Sequence, residues 1–420
     1  MKIAHIINQF PPNVTAGLGR YIAEIAPRMA EGHRLSVFTL NDGRLPAVER
    51  AGGVTVHRPR GRIFAAISRR RRLNRTRRLD FALLTLNVVT SNWRYFLRLL
   101  STGRKARPDL VAVHDSTNFL AGLLCHHLLR LPVVFHVHTT EYGVNRRHGT
   151  AGAKGLLAAV ERWLARVARR IVVPTPEVRD QLAAAGWDRS SIEVVCLGGT
   201  FERLLAAGGP DTQALRARAG GLRARLGIGP GDTVLLFVGR IERQKGIYPL
   251  LAAMPQITAA VPGLRLVIVG EGDEDGVWRI VTGAGLAGHV RTSGGWVGGE
   301  ELLEYYEMAD ACVFPSLFEP FGLVATEAMA MGKPTILGHG FSRIFLGDPA
   351  RPAARFVRGD DSDDIARAVI ELMEDPAARE SLAAEGERFV RKQLSWDRTV
   401  EETLAVYRGV LDEDRTGTRR

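Results

Sequence analysis

Short apolar runs that alternate with amphipathic stretches constrain the fold of this chain more than any other feature. In the first half, these runs occupy residues 2–7, 34–40, 53–59, 110–115, 132–139, 170–175 and 192–198. The stretches between them, for example residues 155–170, have the spacing of amphipathic helices. Nearly continuous apolar strands are typical of a parallel sheet that helices cover on both faces. The pattern therefore predicts an α/β fold.

The alternation stops at about residues 200–232, where Gly, Ala and Arg are abundant, and then starts again. New apolar runs follow at residues 233–239, 264–270, 289–295, 311–316, 334–338 and 354–359. A chain of 420 residues is also too long for one ordinary core. We therefore predict two Rossmann-like domains, residues 1–200 and 201–394. Ligands of such sheets bind at the carboxyl ends of the strands, so we expect the site in a cleft between the domains.

Composition narrows the class of protein. Hydrophobic residues make up 45% of the chain and charged residues 24%, as in soluble globular proteins. Cys125, Cys196 and Cys312 form no CxxC pair, so we expect no disulfide framework or zinc site, and a reducing cytoplasm fits best. The chain begins directly with a strand and has no run of about 18 apolar residues, so neither a secretory signal nor a membrane span is predicted.

The net charge of +12 is unevenly spread. Between Arg58 and Arg78 the chain has ten arginines and no acidic residue. Such a run could bind RNA, anionic lipid or a phosphorylated substrate, although a solvated arginine-rich surface is the simplest interpretation. Aromatic residues that would stack on bases do not alternate with the arginines, and apolar residues follow the run. A basic amphipathic helix lying on a membrane is therefore the sharper functional alternative.

Two cations follow the first strand of the second domain. Arg240 stands at the end of that strand, and Lys245 follows five residues later, before Gly246. Such a pair suits a diphosphate, because each cation neutralises one phosphate and arginine can bind two oxygens. The chain has no GxxxxGK[ST] motif, which excludes a P-loop. The pattern favours binding of a diphosphate leaving group, with ordinary solvated cations as the alternative.

An acidic residue lies among apolar ones in the segment EPFGLVATEAMAMGKP, residues 319–334. Glu327 is four residues from both Leu323 and Met331, so it shares the apolar face of the predicted helix. An ionised carboxylate there is costly unless it is paired or hydrogen-bonded. A sugar hydroxyl would satisfy it, and Glu319 could accept a hydrogen bond from another hydroxyl of the same ligand. A buried ion pair for Glu327 and an exposed loop acid for Glu319 are the alternatives.

The first domain offers two weaker signals. Gly17 and Gly19 precede a helix start, where glycines allow backbone N–H groups to approach an anion, although the spacing is not GxGxxG. His136 and His138 alternate along one strand and therefore face the same side of it. His138, at the carboxyl end, could hydrogen-bond a sugar or orient an acceptor. The alternative for the two glycines is an ordinary glycine-rich turn. The alternative for the two histidines is that they are hydrogen-bonded polar residues near a core.

Metal binding has little support in the sequence. No Cys, His or Asp at ligand spacing accompanies the histidine pair. Acidic DxD triplets occur at residues 273–275, 361–363 and 412–414, and only the first follows a strand of the second domain. We interpret it as a surface loop, because Arg240 and Lys245 would already neutralise a diphosphate. We therefore expect no metal.

The segments VGRIERQKG and PSLFEPFGLVATEAMAMGKP together resemble the GT-B glycosyltransferases of family 4, which are retaining sugar-nucleotide transferases. The resemblance extends over nearly the whole chain, from GLGRYIAEIA to LSWDRTVEETLAVY. It implies two Rossmann-like domains facing across a cleft. It also implies that residues 395–420 form a helix that packs back on the first domain, followed by a charged tail.

The resemblance also implies a role for each matching residue. Arg240 and Lys245 would hold the donor diphosphate, Glu327 would accept from the ribose, and His138 would lie by the reacting carbon. Glu319 would contact the donor sugar together with backbone N–H groups of the following turn. The remaining predicted contacts to the substrates are Gly17, Gly19, Trp296, Val297, Phe321, Gly322 and Leu323. Trp296 and Val297 correspond to the stretch where the base docks.

Three segments depart from the family pattern. The glycine pair is split as Gly17-Leu18-Gly19, and the segment between the domains reads LGGT at residues 197–200. After KPTILG the family continues with a glycine-rich loop ending in glutamate, whereas this chain has no acid before Asp348 and carries His339 and Arg343. This loop approaches the sugar in the family, so the donor sugar stays open.

We therefore predict a retaining glycosyltransferase in which His138, Glu319, Arg240 and Lys245 contribute to catalysis. The donor would be a UDP- or GDP-sugar, with no cofactor, and the acceptor a hydroxyl of a sugar, cyclitol, natural product or lipid-linked molecule. The predicted location is the cytoplasm, with peripheral membrane contact through Arg58–Arg78 as an option and no nucleic-acid partner. The alternatives are a nucleotide-sugar epimerase or phosphorylase of the same fold, or a non-catalytic RNA or membrane binder.

Overall fold

The structure is a computed structural model of the chain. It describes residues 1–14, 17–41, 43–59, 77–138, 153–199, 201 and 212–416, without the side chains of residues 77–85, 104–105 and 153–157. The chain divides into two compact units. Unit 1 consists of Met1–Cys196 and Trp396–Arg420, and unit 2 consists of Leu197–Ser395.

The sheet of unit 1 has the strand order β3-β4-β2-β1-β5-β6-β7-β8. Its strands are β1 Lys2–Ile6, β2 Arg34–Phe38, β3 Val48–Ala51, β4 Val54–His57, β5 Leu110–His114, β6 Val133–His136, β7 Arg170–Val173 and β8 Ile192–Val194. All neighbouring pairs are parallel except β3 and β4. Strand β3 was not predicted from the sequence; it pairs antiparallel with β4, because Gly52 and Gly53 have positive φ and turn the chain back as a hairpin.

The helices of unit 1 are α1 Gly17–Ala30, α2 Arg77–Leu100, α3 Gly103–Ala106, α4 Phe119–Leu129, α5 Ala153–Val167, α6 Pro176–Ala184 and α14 Trp396–Thr416. One apolar core includes residues of β1, β5, β6 and β7 together with residues of α2, α4 and α6. The last helix of the chain is part of this unit: the Thr399 hydroxyl donates to the Cys196 carbonyl at 2.8 Å, and Arg169 pairs with Asp414. No helix among the described residues combines the length and apolarity needed to cross a membrane.

The main sheet of unit 2 is parallel, with the order β11-β10-β9-β12-β13-β16. Its strands are β9 Thr233–Val238, β10 Leu264–Val269, β11 Val290–Thr292, β12 Ala311–Phe314, β13 Thr335–Gly338 and β16 Arg355–Val357. A separate antiparallel pair consists of β14 Gly347–Asp348 and β15 Arg351–Pro352. The strands of the main sheet are short and mostly buried, as expected for a sheet with helices on both faces.

The helices of unit 2 are α7 Thr212–Arg225, α8 Ile247–Ala260, α9 Glu274–Gly283, α10 Glu300–Met308, α11 Leu323–Ala330, α12 Ser362–Glu374 and α13 Pro376–Gln393. Helix α7 falls inside the segment where the sequence pattern pauses. It forms despite two consecutive glycines because Leu215, Ala219 and Leu222 are buried on one face.

Each sheet has one point where the strand order reverses. In unit 1 this point lies between β1 and β5, and in unit 2 between β9 and β12. The loops that leave the carboxyl ends of such neighbouring strands diverge to opposite faces of the sheet, and ligands bind in the crevice between them. The segments after β1, β5, β9 and β12 are therefore where functional side chains are expected.

Candidate active site

Lys245 and Glu319 meet at the reversal point of unit 2. Lys245 lies in the turn after β9, Glu319 in the loop after β12, and the Lys245 Nζ is 2.5 Å from a Glu319 carboxylate oxygen. The two loops are joined by backbone: the Leu317 N–H donates to the Gln244 carbonyl at 2.9 Å. The sequence placed both residues at strand ends, and the structure brings them into direct contact. Both side chains are largely buried, which strengthens their attraction.

Glycines at two positions let the loops of this site pack closely. Gly246 has φ 73°, and a Cβ there would lie 2.0 Å from the Pro315 carbonyl oxygen. Any other residue at Gly246 would therefore push apart the loops that carry Lys245 and Glu319. Gly322 has φ 99°, and a Cβ there would lie 2.2 Å from the Phe341 ring in the loop after β13, so a larger residue would separate that loop from the one that carries Glu319.

Arg240 is placed differently from Lys245. Its guanidinium is 2.9 Å from a Glu242 carboxylate oxygen, and its side chain is 69% exposed. The structure therefore pairs the two predicted diphosphate ligands with different carboxylates. An exposed arginine beside one acid keeps most of its five N–H donors available to solvent or ligand.

Glu327 is 1% exposed, as the helix register predicted. The hydroxyl of Tyr306, which is fully buried on α10, donates to a Glu327 carboxylate oxygen at 2.9 Å. Tyr306 was not predicted, although its place on the apolar face of α10 is visible in the sequence as LLEYY. The buried carboxylate thus has a fixed orientation.

Helix α11 begins immediately after Gly322, with Phe321 and Gly322 buried and Leu323 half-buried. Among the described residues, no side chain caps this end of the helix. Backbone N–H groups of a first turn are the natural partners of anionic or hydroxyl oxygens. The predicted backbone contacts at Phe321, Gly322 and Leu323 therefore lie at a helix N-terminus beside Glu319.

Trp296 and Val297 lie in a different loop, after the edge strand β11. Trp296 is 60% exposed and Val297 is half-buried. In the loop after β13, the atypical His339 accepts a hydrogen bond from the Gly359 N–H at 3.0 Å, and the Arg343 guanidinium lies 4.5 Å from the Phe356 ring centroid. Both atypical side chains therefore have contacts within unit 2.

In unit 1, α1 starts at Gly17, and Gly19 is buried against the loop that follows β1. A Cβ at Gly19 would lie 2.9 Å from the Gln9 side-chain oxygen and from Val14. The glycine thus lets the first turn of α1 lie close to that loop at the reversal point. Whether this turn contacts an anion stays a prediction.

His138 ends a row of three hydrogen-bonded histidines at the reversal point of unit 1. His5 Nδ1 lies 2.9 Å from His114 Nε2, and His114 Nδ1 lies 3.0 Å from His138 Nε2. His136 and His138, which the sequence predicts to face the same side of the strand, have nearly parallel rings with centroids 6.3 Å apart. Sequence reasoning missed His5 and His114, although a histidine inside each of two apolar strands was the available signal.

The donors and acceptors in this row of hydrogen bonds can be assigned. His5 Nε2 is buried and has no hydrogen-bond partner among the described residues. A buried orphan N–H is rarer than an orphan acceptor, so we assign the His5 proton to Nδ1. His114 then accepts at Nε2 and donates from Nδ1 to His138. His138 therefore carries its own proton on Nδ1, as a neutral imidazole.

A fourth histidine, His136, stacks on His114 of the row, with ring centroids 4.6 Å apart. The His136 ring lies between the hydroxyl of Tyr407 on α14, 2.7 Å from Nε2, and that of Tyr21 on α1, 3.4 Å from Nδ1. The His138 backbone N–H donates to Asp115 at 3.1 Å, and Asp115 has φ 58° and ψ 162°. Such a conformation is costly for a non-glycine residue and is concentrated at functional sites.

The nitrogens of His114, His136 and His138 lie within 4.8 Å of one another and could hold a metal ion. However, the 3.0 Å between His114 and His138 nitrogens matches a direct hydrogen bond. The acidic triplets are also used otherwise: Asp273 caps α9 and Asp361 caps α12 through backbone N–H groups. The described contacts thus favour a hydrogen-bonded row.

Acid is expected to destabilise unit 1 through its buried histidines. Burial lowers the pKa of His5 to about 3 and holds the pKa values of His114 and His136 well below their ordinary range. In the unfolded chain these histidines take up protons below about pH 6.5. The free energy of unfolding should therefore decrease as the pH falls through this range, by about 1.4 kcal/mol per pH unit for each histidine.

Urea denaturation of the wild type and of His5→Leu between pH 7 and 4 measures this effect. The variant should be less stable at pH 7, and the gap should close as the pH falls, because only the wild type loses the His5 contribution. His127→Leu, at an exposed position, is the matched control. If the free energies of unfolding of the wild type and His5→Leu differed by the same amount at every pH, the assignment of a buried neutral histidine would be contradicted.

The interpretation of residues 58–78 as a solvated arginine-rich surface does not hold at Arg58. Its side chain is fully buried and pairs with Glu49 and the Pro11 carbonyl. Residues 60–76 lie outside the described residues, as do the side chains of Arg77 and Arg78. Arg58 thus stabilises the β3–β4 edge of the sheet and contributes no surface charge.

Solved structures share the fold that carries these sites. A sucrose-phosphate synthase from Thermosynechococcus elongatus superposes with a TM-score of 0.74 over 98% of this chain and 99% of that one, at 22% identity. Anabaena HepE, in a complex with UDP-glucose, superposes with a TM-score of 0.68 over 97% of this chain and all of its own, at 16% identity. The fold is therefore that of GT-B glycosyltransferases.

Sequence comparison identifies the family. The profile described as "Glycosyl transferase 4-like domain" matches residues 16–198, and "Glycosyl transferases group 1" matches residues 221–389. A D-inositol 3-phosphate glycosyltransferase of Thermomonospora curvata is 30% identical over 94% of this chain and 91% of its own length. A glycogen synthase of Mycobacterium tuberculosis is 28% identical over 97% and 94%. The chain belongs to the family 4 glycosyltransferases, and it is a glycosyltransferase.

Proposed function

We propose that this enzyme transfers a sugar from a nucleoside diphosphate sugar, UDP or GDP, to an acceptor hydroxyl with retention of configuration. The observation that carries the proposal is the contact between Lys245 and Glu319 at the reversal point of unit 2. A cation and a carboxylate side by side are complementary to the two ends of one donor, a diphosphate and a sugar hydroxyl. Family membership and the UDP-glucose complex of the Anabaena neighbour support this reading.

The donor would be held by unit 2. Lys245 and Arg240 would bind the diphosphate, and the first turn of α11 would donate backbone N–H groups to it or to the sugar. Glu319 would accept from a hydroxyl of the sugar ring. Glu327, oriented by Tyr306, would accept from the ribose, and Trp296 with Val297 would flank the base. The charges of Lys245 and Arg240 make a metal unnecessary.

The reaction breaks the bond between the anomeric carbon and the diphosphate oxygen and forms one to the acceptor oxygen on the same face. Lys245 and Arg240 would stabilise the negative charge that develops on the leaving group. The acceptor proton would pass to the departing phosphate oxygen. His138, neutral and with its proton on Nδ1, would donate a hydrogen bond that orients a substrate hydroxyl.

The acceptor is proposed by chemical class only. The printed names of the relatives refer to an inositol phosphate and to glycogen, which supports a hydroxyl of a cyclitol or sugar. A natural product or a lipid-linked hydroxyl fits the same chemistry. We place the enzyme in the cytoplasm, where nucleotide sugars would be available and the three free cysteines would stay reduced.

Proton NMR of the reaction tests this proposal. The protein is incubated with UDP-glucose or a GDP-sugar, with and without cyclitol and sugar acceptors. We expect release of nucleoside diphosphate to be slow alone and faster with a suitable acceptor, and the product to keep the anomeric configuration of the donor. Inversion would refute retention, and rapid conversion of the donor without any acceptor would indicate an epimerase instead.

A further inference from the structure

An exposed apolar stripe runs along α2. Among the described residues, ten large apolar side chains are exposed, and five of them belong to this one helix. These five are between 40% and 53% exposed: Leu86, Val89, Trp93, Leu97 and Leu100. Soluble monomers rarely expose contiguous apolar patches beyond a few hundred Å², and larger ones mark interaction sites.

The spacing makes these residues one surface. Successive members are three or four positions apart, which places all five within an arc of about 80° and along about 21 Å of helix. The opposite face of α2 is already used, because Tyr95 and Leu99 there are buried in the core of unit 1, as is Phe96 beside the stripe. The helix therefore has two apolar faces, and the core of unit 1 covers only one of them.

The chain segment that carries the stripe is strongly basic. From Arg77 to Arg107 the chain has seven basic residues and one acidic residue, Asp80. On α2 itself, the half-buried Arg94 lies about 60° round the helix from the edge of the stripe, whereas Arg98 lies on the far side and donates to His57 at 3.3 Å. A second copy of the chain is a poor partner, because two such basic segments would repel each other.

Helix α2 is attached to the strand ends of unit 1 through a buried side chain on its other face. The Asn92 side chain is buried, donates to the Thr117 carbonyl at 2.9 Å and accepts from the Ala121 N–H at 3.0 Å. Thr117 follows β5 and also accepts from the Asn8 side chain, after β1. These contacts connect α2 to the two loops at the reversal point of the sheet.

We propose that the stripe on α2 docks unit 1 on an anionic membrane surface. Leucine, valine and tryptophan side chains would enter the boundary between headgroups and acyl chains, and the arginines would contact anionic headgroups. The helix would lie in the plane of the membrane. The inference rests on the described residues of α2 and is independent of which donor unit 2 binds.

Flotation with lipid vesicles tests the proposal. The full chain is mixed with phosphatidylcholine vesicles, with and without phosphatidylglycerol. We expect clear binding to the anionic vesicles, about tenfold weaker binding to the neutral ones, and about tenfold weaker binding to anionic vesicles for Trp93→Ser combined with Leu97→Ser. Trp278→Ser, at a 38% exposed tryptophan of α9 in unit 2, is the control and should bind like the wild type.

Three outcomes would overturn the proposal. The first is no binding of the wild type to either vesicle. The second is equal binding of the wild type and the double variant to anionic vesicles, which would leave charge alone as the cause. The third is that light scattering shows a dimer for the wild type and a monomer for the double variant. That result would mean that the stripe binds a second copy of the chain. Thermal unfolding and the UDP-induced shift of each variant show that the chain is folded.

Discussion

Glu327→Gln is expected to weaken binding of the nucleotide sugar by about 10- to 100-fold, the range for loss of a hydrogen bond to a charged group. The substitution keeps the volume of the side chain, and its amide oxygen can still accept from Tyr306. It replaces the second carboxylate oxygen with an N–H₂ group, which cannot accept from a ribose hydroxyl. Isothermal titration calorimetry with UDP and UDP-glucose measures the effect.

Glu374→Gln, at an exposed position on α12, provides the matched control for this measurement. Its affinity should equal that of the wild type. If Glu327→Gln unfolds at the wild-type temperature and binds UDP with unchanged affinity, Glu327 is a structural carboxylate and its assignment to the ribose is wrong.

Lys245→Met is expected to lower kcat/KM by about 10²- to 10³-fold, as for loss of one charge-stabilising group in a transition state. The ammonium would stabilise the diphosphate as the bond to the sugar breaks. Initial rates of nucleoside diphosphate release measure the effect. Lys392→Met, on the exposed surface of α13, is the control and should leave the rate unchanged.

The pairing of Lys245 with Glu319 requires a second variant. Lys245→Met leaves the Glu319 carboxylate largely buried and without this cation, which could lower activity by a purely structural route. In the double variant with Glu319→Gln, that unpaired charge is removed. We expect the double variant to stay as slow as Lys245→Met or slower. Recovery of the rate would show that Lys245 acts only by neutralising Glu319.

The residues at strand ends were the ones that the sequence could place. Lys245 and Glu319 follow apolar runs that became β9 and β12, and the helix register of Glu327 predicted its burial. Each inference depended on local periodicity, which a sequence displays directly. The contact between Lys245 and Glu319 needed the strand order as well, and that order depends on how distant strands pair.

The contacts that the sequence did not reveal join residues that are far apart along the chain. His5 and His114 lie 109 residues apart, and His136 and Tyr407 are separated by 271. Arg58 appeared to be part of a solvated run, yet its guanidinium is buried because Glu49 and the Pro11 carbonyl surround it. Local pattern cannot distinguish such a buried, paired arginine from an exposed one.

The most direct test of a nucleotide-sugar site on unit 2 is a thermal-shift series with UDP, GDP, ADP and dTDP and their sugars. A ligand that binds the folded state raises the melting temperature by mass action. We predict that UDP- or GDP-sugars raise the melting temperature of the wild type, and that Glu327→Gln and Lys245→Met reduce this shift. No shift of the wild type with any of these nucleotides would contradict the proposed function.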